Sequence, residues 1–152
     1  MSPHTTSSPR LPRLPQLLDT ANSDRSHWLE LPAQRSSVSV ARRVLGARLS
    51  AWRLSGELCA DAVLLLSELA TNAVRHTLSA QFLCGIGLPG DGWLRIEVHD
   101  HDRSGRVLSR CAAGVDDEGG RGLLLVEQLA HAWGVDRSPL TGGNAVWANL
   151  TV

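Results

Sequence analysis

The sequence predicts a two-layer α/β sandwich, in which helices pack on one face of a mixed, mostly antiparallel sheet. Three segments with helical spacing of apolar residues are interspersed with five short segments that have the pattern of strands. The last four of these strands form two pairs, and each pair is joined by a Gly-rich turn that is typical of an antiparallel hairpin. A chain of 152 residues, 43% of them hydrophobic, is long enough for one such domain.

The first half of the chain predicts a tail, one strand and two helices. Residues 1–25 are rich in Ser, Thr and Pro, a composition typical of a disordered tail, so we place the folded domain at 26–152. Apolar and polar residues alternate over 27–32, as in a half-buried strand. Apolar residues then recur at helical spacing over about 37–53 and about 56–77.

The second half predicts two hairpins separated by a long loop and a third helix. The loop is polar and has no periodicity, and loops of this length in compact domains are usually functional or mobile. In chain order, the predicted elements are strands 81–88 and 93–99, loop 101–118, a helix at about 122–132, and strands 133–137 and 145–152.

Composition argues against several classes of protein. Fifteen basic and fifteen acidic residues balance, whereas a general nucleic-acid-binding surface needs a net basic patch. The chain has no Lys, so the phosphate-binding Lys of a Walker-type P-loop is missing. Three Cys without CxxC spacing argue against a zinc site or a disulfide framework. With no long apolar run and no signal-peptide core, we expect a cytoplasmic protein that makes no membrane contact.

Three polar residues form a stripe on the second predicted helix. Glu68, Asn72 and His76 follow one another at four-residue spacing, about 6 Å apart along the axis. The Asn carbonyl oxygen is a hard ligand that suits Mg²⁺, the Glu can act as a general base, and the His can contact a phosphate or the Asn. A solvated helix face would carry similar residues. However, Asn is a poor helix former, and its place within an apolar helix favours a function.

Two further signals come from the second half of the chain. Asp100 ends a predicted strand, where a carboxylate can accept the exocyclic amine of adenine, although Asp is also common in turns. Gly120-Arg121-Gly122-Leu123 opens the third predicted helix, where glycines let a phosphate approach the free backbone N–H groups. Taken alone, so short a glycine motif fits an ordinary helix entry equally well.

Together, the order and spacing of the three signals resemble the GHKL family of ATPases and kinases, which have the Bergerat or histidine-kinase-like ATPase fold. The likeness extends over about 27–152 and is most specific in the first motif. The N box of the family is resembled by Glu68-Leu69-Ala70-Thr71-Asn72-Ala73-Val74-Arg75-His76. Its first glycine box is resembled at its start by Val98-His99-Asp100, and its second by Gly120-Arg121-Gly122-Leu123-Leu124-Leu125-Val126. The end of the small single-domain members is resembled by Gly142-Gly143-Asn144-Ala145-Val146-Trp147.

Within this family, the chain resembles short actinobacterial ATP-binding regulators related to anti-sigma-factor serine/threonine kinases. The resemblance implies Mg·ATP binding, with Asn72 on the metal, Glu68 as general base and Asp100 on the adenine amine. It implies that loop 101–118 is an ATP lid, and that His76 and the glycine segment Gly120–Leu123 belong to the nucleotide site. The implied partners are a sigma factor and an anti-sigma-factor antagonist, the latter being phosphorylated, and single-domain relatives often form homodimers.

The first glycine box departs from the family pattern Asp-x-Gly-x-Gly, because Asp102 and Ser104 stand where glycines are expected. A second carboxylate near Asp100 predicts modest ATP affinity, through crowding of the base or repulsion of the phosphates. The sequence therefore leaves two functions open. Glu68 favours a serine/threonine kinase, while the altered glycine box and the absence of Lys favour a non-catalytic module in which ATP occupancy switches a partner surface.

Overall fold

The computed structural model describes residues 25–90, 92–105 and 118–152, with the backbone alone for 118–123. Within these residues, five strands form one sheet in the order β1-β2-β3-β5-β4, and each of the four pairings is antiparallel. The predicted fold class and order of elements are confirmed. The elements are β1 (Ser26–Pro32), α1 (Arg35–Ala51), α2 (Gly56–His76), β2 (Gln81–Gly87), β3 (Trp93–Asp100), α3 (Glu118–Leu129), β4 (Ala132–Arg137) and β5 (Asn144–Thr151).

Alternation along the strands places the hydrophobic core between the sheet and the helices. In β3, every second residue points into this core, and Leu94, Ile96 and Val98 are at most 2% exposed. Each of the three helices contributes to the same cluster, so they pack on one face of the sheet. The cluster includes Leu45 and Leu49 from α1, Leu65, Leu66 and Leu69 from α2, Val126 from α3, Phe82, Cys84 and Ile86 from β2, and Ala148 and Leu150 from β5.

Helix α2 carries the predicted polar stripe, and its ends are well defined. The Ser55 hydroxyl caps the N terminus by accepting a hydrogen bond from the backbone N–H of Leu58 at 3.1 Å. Glu57 in the first turn and Arg75 in the last turn both complement the helix dipole. The buried leucines fix the rotation of the helix, and therefore the direction of its polar stripe. Over the part of the chain described, no helix is long and apolar enough to cross a membrane.

Helix α3 differs from its predicted bounds, because it spans Glu118–Leu129 rather than about 122–132. Each Gly weakens a helix by about 1 kcal/mol, which is why the glycine motif predicted a later start. Packing outweighs this cost, since Val126 is fully buried and most helix stability in proteins comes from the packed face. Of the predicted loop 101–118, residues 106–117 lie outside the described residues, and with them most of the predicted lid.

The opposite face of the sheet holds polar side chains that are also buried. Glu97 and His99 on β3 are completely buried, and Arg95 is 4% exposed. Arg95 Nε donates to Glu97 Oε2 at 2.9 Å, so the two charges are paired. The Trp28 ring lies on Gly85, where an added Cβ would come within 2.6 Å of the indole, so this approach requires glycine.

Candidate functional site

Glu68 and Asn72 lie one turn apart on α2, and both side chains are half-buried. The buried side of the helix is formed by other residues, including Leu65 and Leu69. Within the described ranges, neither the Glu68 carboxylate nor the Asn72 amide has a hydrogen-bond or ion-pair partner. Two polar groups are therefore available to a ligand on one face of α2, and His76 follows them as the last residue of the helix.

Asp100 ends β3, and its carboxylate is held rigidly in a buried position, with 3% of the residue exposed. Its Oδ1 accepts hydrogen bonds from the Asp102 N–H at 2.8 Å, the Asn144 N–H at 3.1 Å and Asn144 Nδ2 at 3.0 Å. Its Oδ2 lies 3.2 Å from the same Nδ2. Three donors saturate Oδ1, so Oδ2 is the oxygen with capacity to accept from a ligand.

The pKa of Asp100 is raised above its usual value, chiefly because burial disfavours the charged carboxylate. The hydrogen bonds from Asp102 and Asn144 act in the opposite direction and lower the pKa in part. The negative charge of Asp102 raises it further and is the smallest of these effects. A ligand that donates a hydrogen bond to Asp100 would favour the charged form and so offset the cost of burial.

Asp100 and Asn144 are neighbours across the β3–β5 pair, and both point toward the helices. Val98 pairs with Val146 and His99 with Ala145, so the same register brings Asp100 opposite Asn144. Side chains two residues apart along a strand share a face, and Val98 and Val146 pack in the core under the helices. The two polar side chains therefore lie between the sheet and the helix layer.

The end of α2 is tied to the end of β3. The Leu78 N–H donates to Asp102 Oδ2 at 3.1 Å, and the His101 N–H donates to Ser79 Oγ. Asp102 Oδ1 accepts from the Ser104 N–H at 2.9 Å. Asp102, which stands where the family has glycine, thus uses both oxygens to hold the backbone of this corner. These bonds bring the last turn of α2 close to the buried Asp100.

The turn between β4 and β5 supports Asp100 from the other side. The Thr141 hydroxyl donates to the Asp100 carbonyl oxygen and accepts from the Gly143 N–H at 3.0 Å. An added Cβ at Gly143 would come within 2.2 Å of the Asp100 carbonyl oxygen, so the position admits only glycine. The Ser138 hydroxyl accepts from the Thr141 N–H at 3.0 Å and lies 2.7 Å from His99 Nδ1.

The buried polar residues on the opposite sheet face anchor this same turn. Ser138 Oγ accepts from the N–H groups of Leu140 and Thr141, so its hydrogen is left to donate to His99 Nδ1. His99 Nε2 then carries a hydrogen and donates to Glu97 Oε1 at 2.7 Å. Ser138, His99 and Glu97 are thus joined in one hydrogen-bonded network. This network holds the β4–β5 turn, and the turn holds the backbone of Asp100.

The glycine motif Gly120-Arg121-Gly122-Leu123 has its backbone in the first two turns of α3, and its side chains lie outside the described part of the structure. The structure brings α3 against α2, the helix that carries Glu68 and Asn72. Free N–H groups at such a helix start are a general means of binding phosphates. The phosphate-binding role of the motif stays a prediction.

Sequence reasoning did not identify Asn144 and Thr141 as parts of the site. Asn144 stands in the closing motif that resembles the family, but no role followed from its position there. A signal was present, because Asn144 shares the core-facing register of Val146, Ala148 and Leu150. A polar residue in a core-facing position needs hydrogen-bond partners, and here the partner is Asp100.

Comparison with known proteins identifies the family. The family model of the histidine kinase-like ATPase domain matches residues 31–150. The chain belongs to this family. The resemblance to the GHKL ATPases and kinases is thus confirmed, and the match of this ATPase-family domain covers most of the chain.

A solved structure shows the same fold. The ATPase-family domain is similar to the RsbU and RsbW domains of Rv1364c from Mycobacterium tuberculosis, with a TM-score of 0.63 and 21% sequence identity. The alignment covers 83% of this chain and 32% of the other, so the chain spans about a third of the length of that protein. No curated protein matches the chain.

A metal at this site would take few ligands from the protein. In the described ranges, no group of three or more His, Cys, Asp or Glu is placed to hold a metal ion. Asn72 offers a single amide oxygen at a half-buried position. This donor fits Mg²⁺ bound with a nucleotide, because Mg²⁺ usually keeps several waters and takes most other ligands from phosphates.

Proposed function

We propose that this ATPase-family domain is a cytoplasmic regulatory kinase, which binds Mg·ATP and transfers the γ-phosphate to a serine or threonine of an anti-sigma-factor antagonist. One observation carries the proposal. Glu68 and Asn72 have no protein partner in the described part of the chain and share a helix face, while Asp100 is buried with one saturated and one available oxygen. Polar groups that keep hydrogen-bonding capacity for a ligand can bind a nucleotide and a reacting hydroxyl.

Each residue has its own role in this proposal. Asp100 Oδ2 accepts the exocyclic amine of adenine and so fixes the base, and Asn72 contributes an oxygen ligand to Mg²⁺, which neutralises phosphate charge when it is bound. Glu68, one turn before Asn72, accepts the proton of the attacking hydroxyl. The free backbone N–H groups in the first turn of α3, including that of Gly120, hold phosphate oxygens.

The proposed partners follow from the sequence resemblance to anti-sigma-factor serine/threonine kinases. They are a sigma factor, which the domain would bind, and the antagonist that it would phosphorylate, with the domain acting as a homodimer. The family match supports ATP as the nucleotide. The fold shared with the RsbU and RsbW domains of Rv1364c is consistent with the same assignment.

A second function is a non-catalytic switch, in which ATP occupancy alone controls binding of a partner protein. The altered first glycine box favours it. Asp102 and Ser104 replace both glycines, and a hydrogen bond from the Ser104 N–H to Asp102 Oδ1 closes the turn that follows Asp100. A turn closed by side chains leaves less backbone open to a nucleotide than a glycine turn does.

A phosphotransfer assay separates the two functions. The protein is incubated with Mg²⁺, γ-labelled ATP and the small proteins encoded next to it, and labelled serine is located by mass spectrometry. Glu68→Gln keeps the shape of the side chain without its basicity, so we expect near-normal ATP affinity and a rate about 10²–10⁴-fold lower.

Glu57→Gln is the matched control for this assay, because Glu57 is exposed in the first turn of the same helix. It should transfer phosphate at the rate of the unmodified protein. Full activity of Glu68→Gln would remove Glu68 from the role of base. ATP binding without any labelled serine would favour the non-catalytic switch.

A further inference from the structure

The base end of the site contains a buried acceptor with no partner in the described part of the protein. Asn144 is completely buried, and its Nδ2 lies 3.0 and 3.2 Å from the two oxygens of Asp100 and 3.2 Å from the carbonyl oxygen of Asp102. Its Oδ1 is buried, and no described residue donates to it. A buried acceptor without a donor is destabilising, so its presence points to a ligand that donates a hydrogen bond.

The orientation of the Asn144 amide is determined by its surroundings. Rotating the amide by half a turn would place Oδ1 against both oxygens of Asp100 and the carbonyl oxygen of Asp102, all of them acceptors. Only the NH₂ group can face this set. Oδ1 is therefore directed away from them, and it remains an acceptor for another group.

Asp100 and Asn144 then each offer one acceptor oxygen, from facing positions of neighbouring strands. Asp100 Oδ1 is saturated by three donors, which leaves Oδ2 for a ligand. Both side chains point between the sheet and the helix layer from neighbouring strands. An exocyclic amine carries two hydrogens in the plane of its ring, and it is the group of a nucleobase that can donate to two acceptors at once.

We propose that Asn144 is a specificity-determining residue for the base, whose Oδ1 accepts one hydrogen of the adenine amine while Asp100 Oδ2 accepts the other. This inference rests on the proposed binding of ATP. With both acceptors occupied by amine hydrogens, the site would select bases that have an unsubstituted exocyclic amine. A 6-oxopurine would place an oxygen against two acceptors, and an N6-methyl group would replace one of the two hydrogens and leave one acceptor buried without a donor.

Binding of nucleotide analogues tests the inference on the unmodified protein. Dissociation constants for ATP, N6-methyl-ATP and ITP are measured by calorimetry in the presence of Mg²⁺. Because each lost hydrogen bond leaves a buried acceptor unsatisfied, N6-methyl-ATP should bind roughly tenfold or more weakly than ATP, and ITP more weakly still. Equal affinities for ATP and N6-methyl-ATP would overturn the inference and leave the proposed function in place. No binding of ATP at all would remove both.

Two variants assign the effect to Asn144. Asn144→Ala and Asn144→Leu both remove the acceptor, and Leu keeps a larger side chain in the buried position. Both should bind ATP more weakly, and the ratio of the N6-methyl-ATP and ATP dissociation constants should fall toward one in each. Thermal unfolding checks that both variants fold. A ratio in Asn144→Leu as large as in the unmodified protein would assign the second acceptor to another residue.

Discussion

Burial and hydrogen bonding shift the pKa of the Asp100 carboxylate in opposite directions. Burial raises its pKa, the donors from Asp102 and Asn144 lower it in part, and the net pKa stays above the usual value of 3.8. An amine that donates to Oδ2 stabilises the charged form, so binding of a base lowers the pKa. If Asp100 binds the base as proposed, nucleotide binding is linked to its protonation.

We expect base binding to weaken as pH falls, beginning above pH 3.8. The pKa of Asp100 is raised in the free protein and the ligand prefers the charged carboxylate, so protonation below that pKa competes with the ligand. The check is a carboxyl-carbon NMR titration of Asp100, together with adenosine affinity over the same pH range, since adenosine has no phosphates to titrate. Adenosine affinity that stays constant through the Asp100 titration would contradict the prediction.

Among the elements, the connections position the site more than the strands and helices do. The β4–β5 turn holds the Asp100 backbone through Thr141 and Gly143, and Asp102 joins the corner after β3 to the segment after α2. The second carboxylate, which the sequence predicts to crowd the base or repel phosphates, has both oxygens bonded to backbone N–H groups. Its effect on ATP affinity stays a prediction, but replacing it with Gly would also loosen this corner.

Gly143→Ala tests the role of the β4–β5 turn. The new Cβ would lie 2.2 Å from the Asp100 carbonyl oxygen and 2.7 Å from the Asp102 nitrogen, so the backbone on which Asp100 stands must move. We expect ATP to bind roughly tenfold or more weakly and the free energy of unfolding to fall by about 1–3 kcal/mol. Calorimetry and chemical denaturation measure the two effects.

The matched control is Gly56→Ala at the first residue of α2, where an added Cβ meets no atom within 4 Å. It should leave ATP affinity unchanged and should not lower stability, because Ala is the better helix former. If Gly143→Ala binds ATP as Gly56→Ala does, the turn does not position Asp100 for the base.

In the whole molecule, the two layers supply different parts of the proposed site. The helix layer provides Glu68 and Asn72, the sheet provides Asp100 and Asn144, and the bond from the Leu78 N–H to Asp102 ties the layers together. A solved structure with 21% identity has the same fold, so widely different sequences adopt this fold. Chemistry must therefore be argued from the site residues rather than from the fold.

The elements could be predicted from the sequence because apolar residues recur every second residue in a strand and about every 3.6 residues in a helix, and this spacing shows which residues face the core. The start of α3 could not, because its glycines weaken a helix locally, while Val126 later in the same helix stabilises it by packing against the other elements of the core. Asn144 was missed for a similar reason. Its contacts with Asp100 join residues 44 positions apart, and only strand pairing brings them together.

The most direct test of Mg·ATP binding at α2 is a calorimetric titration of ATP with Mg²⁺ and with a chelator. The unmodified protein should bind more tightly with Mg²⁺, and Asn72→Ala should lose this dependence and bind roughly tenfold or more weakly, a cost of about 1.4 kcal/mol or more. Thr71→Ala, at the adjacent position of the same helix, should retain both the affinity and the Mg²⁺ dependence. Circular dichroism should show all three proteins folded. Asn72→Ala binding Mg·ATP as tightly as the unmodified protein would contradict the account.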